Sequence, residues 1–305
     1  MTAPMPDARA DVWLVPKPTL SFSELSERYG HWLSADEQQR LQTQRTPKGA
    51  YTFLLTRVAL RGLLSRRQPH VRPEQWQFGR SPAGRPYVIN VAGAPDFNLS
   101  HAEDALVIVL VSHGRVGVDI ESSGREVNDL SRLAQRYFQQ DETRSLLALP
   151  VARQLPRFLT LWTLKEACVK ATGQGLANAL QEFYFDLDSP PVLRCERFDR
   201  DTAEHTGAEQ QGWYAWSGLV HAPSRMQMEA ANREAPEQEQ EPQKRSSRLS
   251  IVWQLHAAID SNAQLDFHQL LFPSAPEADL EVVPAGHQWQ ADWHYSMYSR
   301  TNLEP

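Results

Sequence analysis

Three short runs hold most of the chemistry in this chain. They are Phe97-Asn98-Leu99-Ser100-His101, Gly117-Val118-Asp119-Ile120-Glu121 and Trp162-Thr163-Leu164-Lys165-Glu166-Ala167-Cys168-Val169-Lys170. Asp119 and Glu121 are two apart, and alternate side chains of a strand point to one face, so these carboxylates should project together. Glu166 and Lys170 are four apart on a predicted helix and should be neighbours there. If that helix packs with Glu166 near the strand, three carboxylates can meet, with His101 as an imidazole and Lys170 as an ammonium. Magnesium favours such hard oxygen ligands, keeps some waters and takes further ligands from phosphates. A carboxylate trio without thiols points to magnesium, with manganese as the alternative, over zinc. The inventory suits a divalent metal holding a pyrophosphate, with a base beside it.

Each run alone has an ordinary structural explanation. Acidic residues flanking a strand are commonly exposed, and a Glu–Lys pair at this spacing is most often a surface ion pair. Their conjunction, in this order and spacing, is what carries the chemical reading. The elements around them are legible too. Val12 to Val15, ended by Pro16, reads as a first strand. Ser34-Ala35-Asp36-Glu37 reads as a helix start with a capping box. Tyr51, Leu54, Leu55, Val58, Leu60, Leu63 and Leu64 have the spacing of a buried amphipathic helix, with Arg57 and Arg61 on one face of it. Ser81 to Pro86 is a turn into a strand from Tyr87 to Val91. Ala105 to Val111 and Val116 to Ile120 read as the next strands. Leu130 to Tyr137 and Phe158 to Ala171 read as helices, the second ending near Gly173. Phe183 to Leu187, Trp213 to Val220 and Leu249 to Ala257 read as further strands.

The chain has 305 residues, 41% of them hydrophobic, enough for a substantial core. Its formal net charge of -6 argues against a nucleic-acid binder. The run from Arg40 to Arg72 is nonetheless basic, with no acidic residue, and reads either as a solvated helix face or as a surface for a polyanion or an acidic protein. Two cysteines are too few for a disulfide framework or a cysteine-rich zinc site. Met1 to Asp11 lacks the basic start and apolar run of a signal peptide, and no apolar stretch is long enough for a membrane helix, so a cytoplasmic place and no membrane partner are expected. Glu229 to Ser247 is rich in Glu, Gln, Pro and Arg and reads as a flexible insert between two strands. Beyond Asn262, Trp289, Trp293, Tyr295 and Tyr298 suggest a tail that packs on the body.

In order, the three runs resemble the signature of the 4′-phosphopantetheinyl transferases, particularly the larger, pseudo-dimeric, surfactin-synthetase-activating type. That signature is an FN-hydrophobic-SH run, a G-hydrophobic-D-hydrophobic-E strand and W-x-x-KE-x-x-x-K. Leu33 to Glu37, the helix through Arg57 and Arg61, and Gly84-Arg85-Pro86 are similar to the same family, so the resemblance spans roughly Leu33 to Leu187. It implies that Asp119, Glu121 and Glu166 bind magnesium and that Glu166 is the candidate general base. His101 and Ser100 would contact coenzyme A near its phosphates, and Lys170 would bind the pyrophosphate. His101 and Lys170 would thus act in catalysis with Glu166. Lys48, Arg80 and Arg85 match basic positions that hold the 3′-phosphate and adenosine end.

The implied fold is α+β, with two similar lobes related by a pseudo-twofold axis and the active site in the cleft between them. Residues 1–113 would form the first lobe. Residues 114–305 would form the second, with the insert and a C-terminal extension. The implied reaction moves phosphopantetheine from coenzyme A to a serine of an apo acyl or peptidyl carrier protein and releases adenosine 3′,5′-bisphosphate. A monomer is expected. Two rivals share these residues: a metal-dependent pyrophosphate hydrolase, and a catalytically silent protein that binds coenzyme A.

Overall fold

Strand alternation sorts the apolar residues of this chain into separate layers. The computed structural model describes residues 9–16, 20–102, 105–174, 179–187, 192–195, 212–221, 246–255, 264–271, 281–284 and 289–298. In chain order the elements begin with β1 (Arg9–Pro16), α1 (Phe22–Tyr29), α2 (Ala35–Gln42), α3 (Pro47–Arg67), β2 (Phe78–Arg80) and β3 (Pro86–Val88). They continue with β4 (Asp96–His101), β5 (Ala105–Val111), β6 (Arg115–Ser122), α4 (Leu130–Tyr137), α5 (Gln140–Leu147) and α6 (Val151–Thr172). The last are β7 (Phe183–Asp186), β8 (Val192–Cys195), β9 (Gly212–His221), β10 (Ser246–Leu255), β11 (Gln264–Leu271), β12 (Glu281–Pro284) and β13 (Trp289–Tyr298). The class is mixed α+β, with six α-helices among the described residues.

Two larger sheets run in the orders β12-β11-β1-β5-β4 and β13-β9-β10-β6. Trp13 and Val15 of β1 and Leu106, Ile108 and Leu110 of β5 pack with the buried face of α3. Their alternates, Val12, Leu14, Val107 and Val109, pack with Val116, Val118 and Ile120 of β6 and Leu249, Ile251 and Trp253 of β10. The other face of the second sheet, through Ala215 and Val252, packs on Leu164, Ala167 and Cys168 of α6. The layers are therefore α3, first sheet, second sheet, α6. Both faces of β5 are covered, which is why Ala105 to Val111 reads as an unbroken apolar run.

The helix signals hold locally. Ser34 and Glu37 form the reciprocal capping box of α2, Thr46 caps α3 with Pro47 in its first turn, and Gly173 ends α6 with φ of 69°. Other boundaries differ from the pattern reading. β3 stops at Val88, short of Val91. Helix α6 starts at Val151, not Phe158, and carries Pro156 inside it, a residue that costs one backbone bond and masks the helical pattern upstream. Strand β10 begins at Ser246, inside the predicted insert, and pairs antiparallel with β9. The rest of that insert, up to residue 245, lies outside the described residues. The tail returns to the body: β11 pairs parallel with β1, and β13 pairs with β9. No helix among the described residues is long and apolar enough to cross a membrane.

The basic run from Arg40 to Arg72 is not one surface. Arg61 is fully buried. It donates to Glu37 Oε2 at 2.6 and 3.0 Å and to the carbonyls of Pro73 and Trp76. Glu37, which also closes the α2 capping box, supplies the charge that a buried guanidinium requires.

One contact sets how close α6 lies to β6. A Cβ placed on Gly117 would stand 1.9 Å from the Ala167 carbonyl oxygen and 2.5 Å from the Ala171 nitrogen. Both are backbone atoms of a helix and cannot rotate away. Gly117→Ala should therefore destabilise the fold by about 3 kcal/mol, the upper end of overpacking costs, as read by urea unfolding. A variant as stable as the parent would show that α6 can slide off β6.

Candidate functional site

The site forms where the edge of one sheet meets the edge of the other. Strand β4 does not continue β6 by a backbone ladder; its side chains make the join. Asp96 Oδ2 accepts from Val116 N at 2.9 Å, and Asn98 Oδ1 accepts from Val118 N at 3.1 Å. Ser100 Oγ donates to Asp119 Oδ1 at 2.8 Å. These three β4 residues are alternate, so one strand face supplies all three bonds. The adjacent His101 turns the other way.

Asp119 is the hub. Its Oδ1 also accepts from Lys170 Nζ at 2.7 Å, and the same ammonium donates to Ser100 Oγ at 3.0 Å and Val118 O at 3.1 Å. Lys170 therefore pairs across to the strand rather than along the helix with Glu166. Asp119 Oδ2 is buried and has no hydrogen-bond partner among the described residues.

Glu166 and Glu121 complete the acidic face. Burial, then the charge of Asp119 and that of Glu121, push the Glu166 carboxyl up to about 7, with Lys170 and Arg125 opposing. Burial also raises Glu121, against the pull of Arg125, which forms an ion pair with it. The Arg125 guanidinium lies 5.8 Å from the centre of the Trp162 ring, one turn before Glu166. Among the described residues, no three His, Cys, Asp or Glu side chains stand together in metal-ligand geometry. Asp119 gives one oxygen to Lys170 and Glu121 one to Arg125. The donor set nevertheless fits a hard divalent cation: Asp119 and Glu121 lie close enough to Glu166 to oppose its ionisation, and Asp119 Oδ2 is a buried acceptor without a donor among the described residues.

Beside this face opens a cavity of about 960 Å3. Lys48, Tyr51 and Arg57 line it from α3, His101 from β4 and Glu121 from β6. Lys48 sits in the first helical turn of α3, beside backbone N–H groups that favour anions. His101 is held below its ordinary value by burial and by the charges of Lys170 and Lys48, against Asp119; the net lowering favours the neutral imidazole. Arg57 lies over the Phe53 ring at 5.3 Å, with its Nε 3.7 Å from Glu37 Oε1. Sequence reading names Arg57 only as a face-mate of Arg61. Nothing in the pattern marks it off, because both arginines lie on one face of α3 and both reach Glu37; they differ in that Arg61 is also covered by the Pro73 and Trp76 carbonyls.

Arg80 and Arg85 stand apart from that wall. Arg80 is exposed and donates to Gly84 O at 3.0 Å, closing its own turn, and its charge reaches Arg57. Arg85 is engaged by protein oxygens: the carbonyls of Lys170, Phe97 and Val116, and Asp96. Lys165, next to Glu166 in the sequence, points away into the core. It is buried against Glu142 at 2.7 Å and donates to the carbonyls of Leu180 and Phe183. Sequence reading does not pick out Asp96 and Asn98 as site residues. Asn98 stands inside the first of the three runs, yet only the β4–β6 adjacency gives it a role.

Comparison with known proteins gives a consistent picture. Residues 115–222 match the family model described as the 4'-phosphopantetheinyl transferase superfamily. The chain is 31% identical to the 4'-phosphopantetheinyl transferase HetI of Nostoc, over 55% of this chain and 70% of that protein. It is 38% identical to psf-1 of Bacillus pumilus, over 40% of this chain and 51% of that protein. It is 29% identical to Sfp of Bacillus subtilis, over 52% of this chain and 69% of that protein. Both are likewise named 4'-phosphopantetheinyl transferases.

The Glu166 shift has a measurable sign. The carboxyl titrates at about 7 in the folded chain against 4.5 ordinarily, so the folded state keeps a proton that the unfolded chain releases. That contribution to stability is whole below pH 4.5 and is lost as the pH rises to about 7. Glu166→Gln, neutral throughout, should flatten the fall in metal-free stability across this interval. Urea melts of the two proteins in chelator test it, and identical slopes would mean that Glu166 ionises normally.

Proposed function

Because this chain belongs to the 4′-phosphopantetheinyl transferase superfamily, we propose that the Asp119–Glu121–Glu166 face and the cavity beside it are where a phosphopantetheine arm passes from coenzyme A to a carrier-protein serine. The observation that carries this reading is Glu121. It belongs to the acidic face and also lines the basic cavity with Lys48, Arg57 and His101. A ligand with a polyanionic end and a pyrophosphate needs both regions in one continuous site.

The serine oxygen attacks the β-phosphorus of the coenzyme A pyrophosphate. A new oxygen–phosphorus bond forms, the bridging phosphoanhydride bond breaks, and adenosine 3′,5′-bisphosphate leaves. A serine hydroxyl is a poor nucleophile at neutral pH and needs a base in position. Glu166 suits that role by position: its carboxyl faces Asp119 and Glu121 on the acidic face, where in the metal-free chain it is held at about 7. Lys170 and Ser100 hold Asp119 by one oxygen, which leaves Oδ2 for a cation. Asp119, Glu121 and Glu166 would hold magnesium, or manganese, and the ion would offset charge on the phosphate oxygens. Lys170, whose N–H groups already serve Ser100, Val118 O and Asp119, would stabilise the pyrophosphate by its charge, His101 and Ser100 would orient it, and Lys48 and Arg57 would face the 3′-phosphate end.

The two sheets, each with one long helix on its outer side, support a pair of similar lobes related by a pseudo-twofold axis. Their boundary falls near residue 113, where β5 ends and β6 begins, except that β11 and β12 return from the C-terminal stretch to the first sheet, and the site lies between the lobes. The chain would act as a monomer. The exposed arginines at 40, 45, 66 and 72 suit an acidic carrier surface by electrostatic steering.

The direct test is mass spectrometry of an apo carrier protein after incubation with this protein, coenzyme A and magnesium. Mass gain by one phosphopantetheine is expected, with adenosine bisphosphate released only when carrier is present. Release without carrier would favour a pyrophosphate hydrolase, and binding without release a silent coenzyme-binding protein. Glu166→Gln should lose transfer by at least ~10²-fold, the usual floor for a general base, with coenzyme affinity weakened less. Lys170→Ala should weaken both, since an ammonium on the pyrophosphate acts in ground and transition states alike. Calorimetric titration of coenzyme A and single-turnover rates separate the two. Normal turnover in Glu166→Gln would move the base elsewhere, with His101 next.

A further inference from the structure

Arg85 lies where the resemblance implies a ligand for the adenosine end of coenzyme A, but its guanidinium is occupied. One terminal nitrogen donates to Lys170 O; the other faces Asp96 Oδ2, Phe97 O at 3.3 Å and Val116 O at 3.0 Å. The parallel two-bond fork that makes arginine a phosphate binder is thus taken up by protein oxygens. Only 10% of the side chain is exposed. The residue is also held from behind: its backbone N–H donates to Ser81 Oγ at 3.1 Å, and its carbonyl accepts from Ser81 N at 2.8 Å. The last turn of α6 rests on it, since a Cβ on Gly173 would meet Arg85 Cδ at 3.3 Å.

These contacts join four pieces: the turn before β3, the start of β4, the start of β6 and the end of α6. The acceptor on α6 is the carbonyl of Lys170 itself. The Lys170 side chain must reach Asp119 Oδ1 and Ser100 Oγ at 2.7 and 3.0 Å. We propose that Arg85 is a positioning residue: with Asp96 it pins the final turn of α6 and so holds the Lys170 ammonium on Asp119, and it makes no bond to the 3′-phosphate of coenzyme A. Its consequence for turnover rests on the transferase reading above; its consequence for Lys170 does not.

Two measurements test this on the full chain, with Arg85→Gln and Asp96→Asn each compared to the parent. Asp96→Asn leaves the guanidinium in place, so it guards against a misfolded Arg85 variant. The first measurement is transfer from coenzyme A and from 3′-dephospho-coenzyme A. If Arg85 positions, kcat falls on the order of 10-fold or more for both substrates, because a small misplacement of a charged group is costly. The ratio of their kcat/KM values stays that of the parent. If that ratio collapses in Arg85→Gln while dephospho-coenzyme A is turned over normally, Arg85 is a phosphate ligand and the proposal is wrong. The second measurement is lysine acetylation by acetic anhydride in chelator without coenzyme, with exposed Lys48 as internal reference. Lys170 should become several-fold more reactive in both variants. Unchanged Lys170 reactivity in both would overturn the proposal. A parent protein that transfers nothing would defeat the transferase reading, and the labelling would still decide the role of Arg85.

Discussion

The structure turns on one join: the edge of β4 against the edge of β6, made by side chains. Strand edges present unpaired N–H and C=O groups that must find partners when buried. Here Asp96 and Asn98 accept from the Val116 and Val118 amides, in place of a neighbouring backbone. Each such bond contributes about 1 kcal/mol net, but deleting the acceptor would strand a buried donor and cost more. The join also fixes geometry. Because Asp96, Asn98 and Ser100 share a face, a β4 docked by its first two residues must deliver Ser100 to Asp119. A register slip of one residue would send all three away from β6.

The second consequence concerns charge. Bringing Asp119 and Glu121 beside Glu166 opposes the ionisation of Glu166, and the fold offsets this with cations that are themselves fixed from outside the site. Lys170 is held through its carbonyl by Arg85, and Arg125 lies over the ring of Trp162. Helix α6 is anchored on its far side by the buried Lys165–Glu142 pair. Neighbours on a helix point about 100° apart. Hence Lys165 and Glu166 divide the work: one ties α6 into the core through the Leu180 and Phe183 carbonyls, and the other faces β6. The close approach at Gly117 then brings Glu166 within reach of the Asp119 charge.

What the sequence made legible was chemistry with local causes. The Ser34 capping box, the Thr46-Pro47 start of α3, the Gly173 stop and the buried run of β5 each depend on a few adjacent residues, and each forms. The alternation of Asp119 and Glu121 and the helix carrying Glu166 and Lys170 are of the same kind. What escaped depended on contacts between elements distant in sequence. Arg57 and Arg61 look equivalent by spacing and both reach Glu37, yet Arg57 lines a cavity while Arg61 is fully buried beneath the Pro73 and Trp76 carbonyls. Lys170 looks like a partner for Glu166, but the β6 edge offers it Asp119 and Val118 O. The family resemblance puts Arg85 at the adenosine end of coenzyme A, and no local pattern could reveal that three protein carbonyls surround it.

Ser100 and His101 show how one strand serves two purposes. Adjacent residues of a strand face opposite ways. Ser100 is buried and donates to Asp119, while His101 lines the cavity with Lys48 and Arg57. The strand is therefore the wall between the acidic face and the basic cavity, and its two terminal residues touch one side each. That wall is short. It ends at His101, and Glu121 is the carboxylate that lines the cavity beyond it. A pyrophosphate that contacts the acidic face while its nucleotide end stays among Lys48, Arg57 and His101 would have to pass the end of β4.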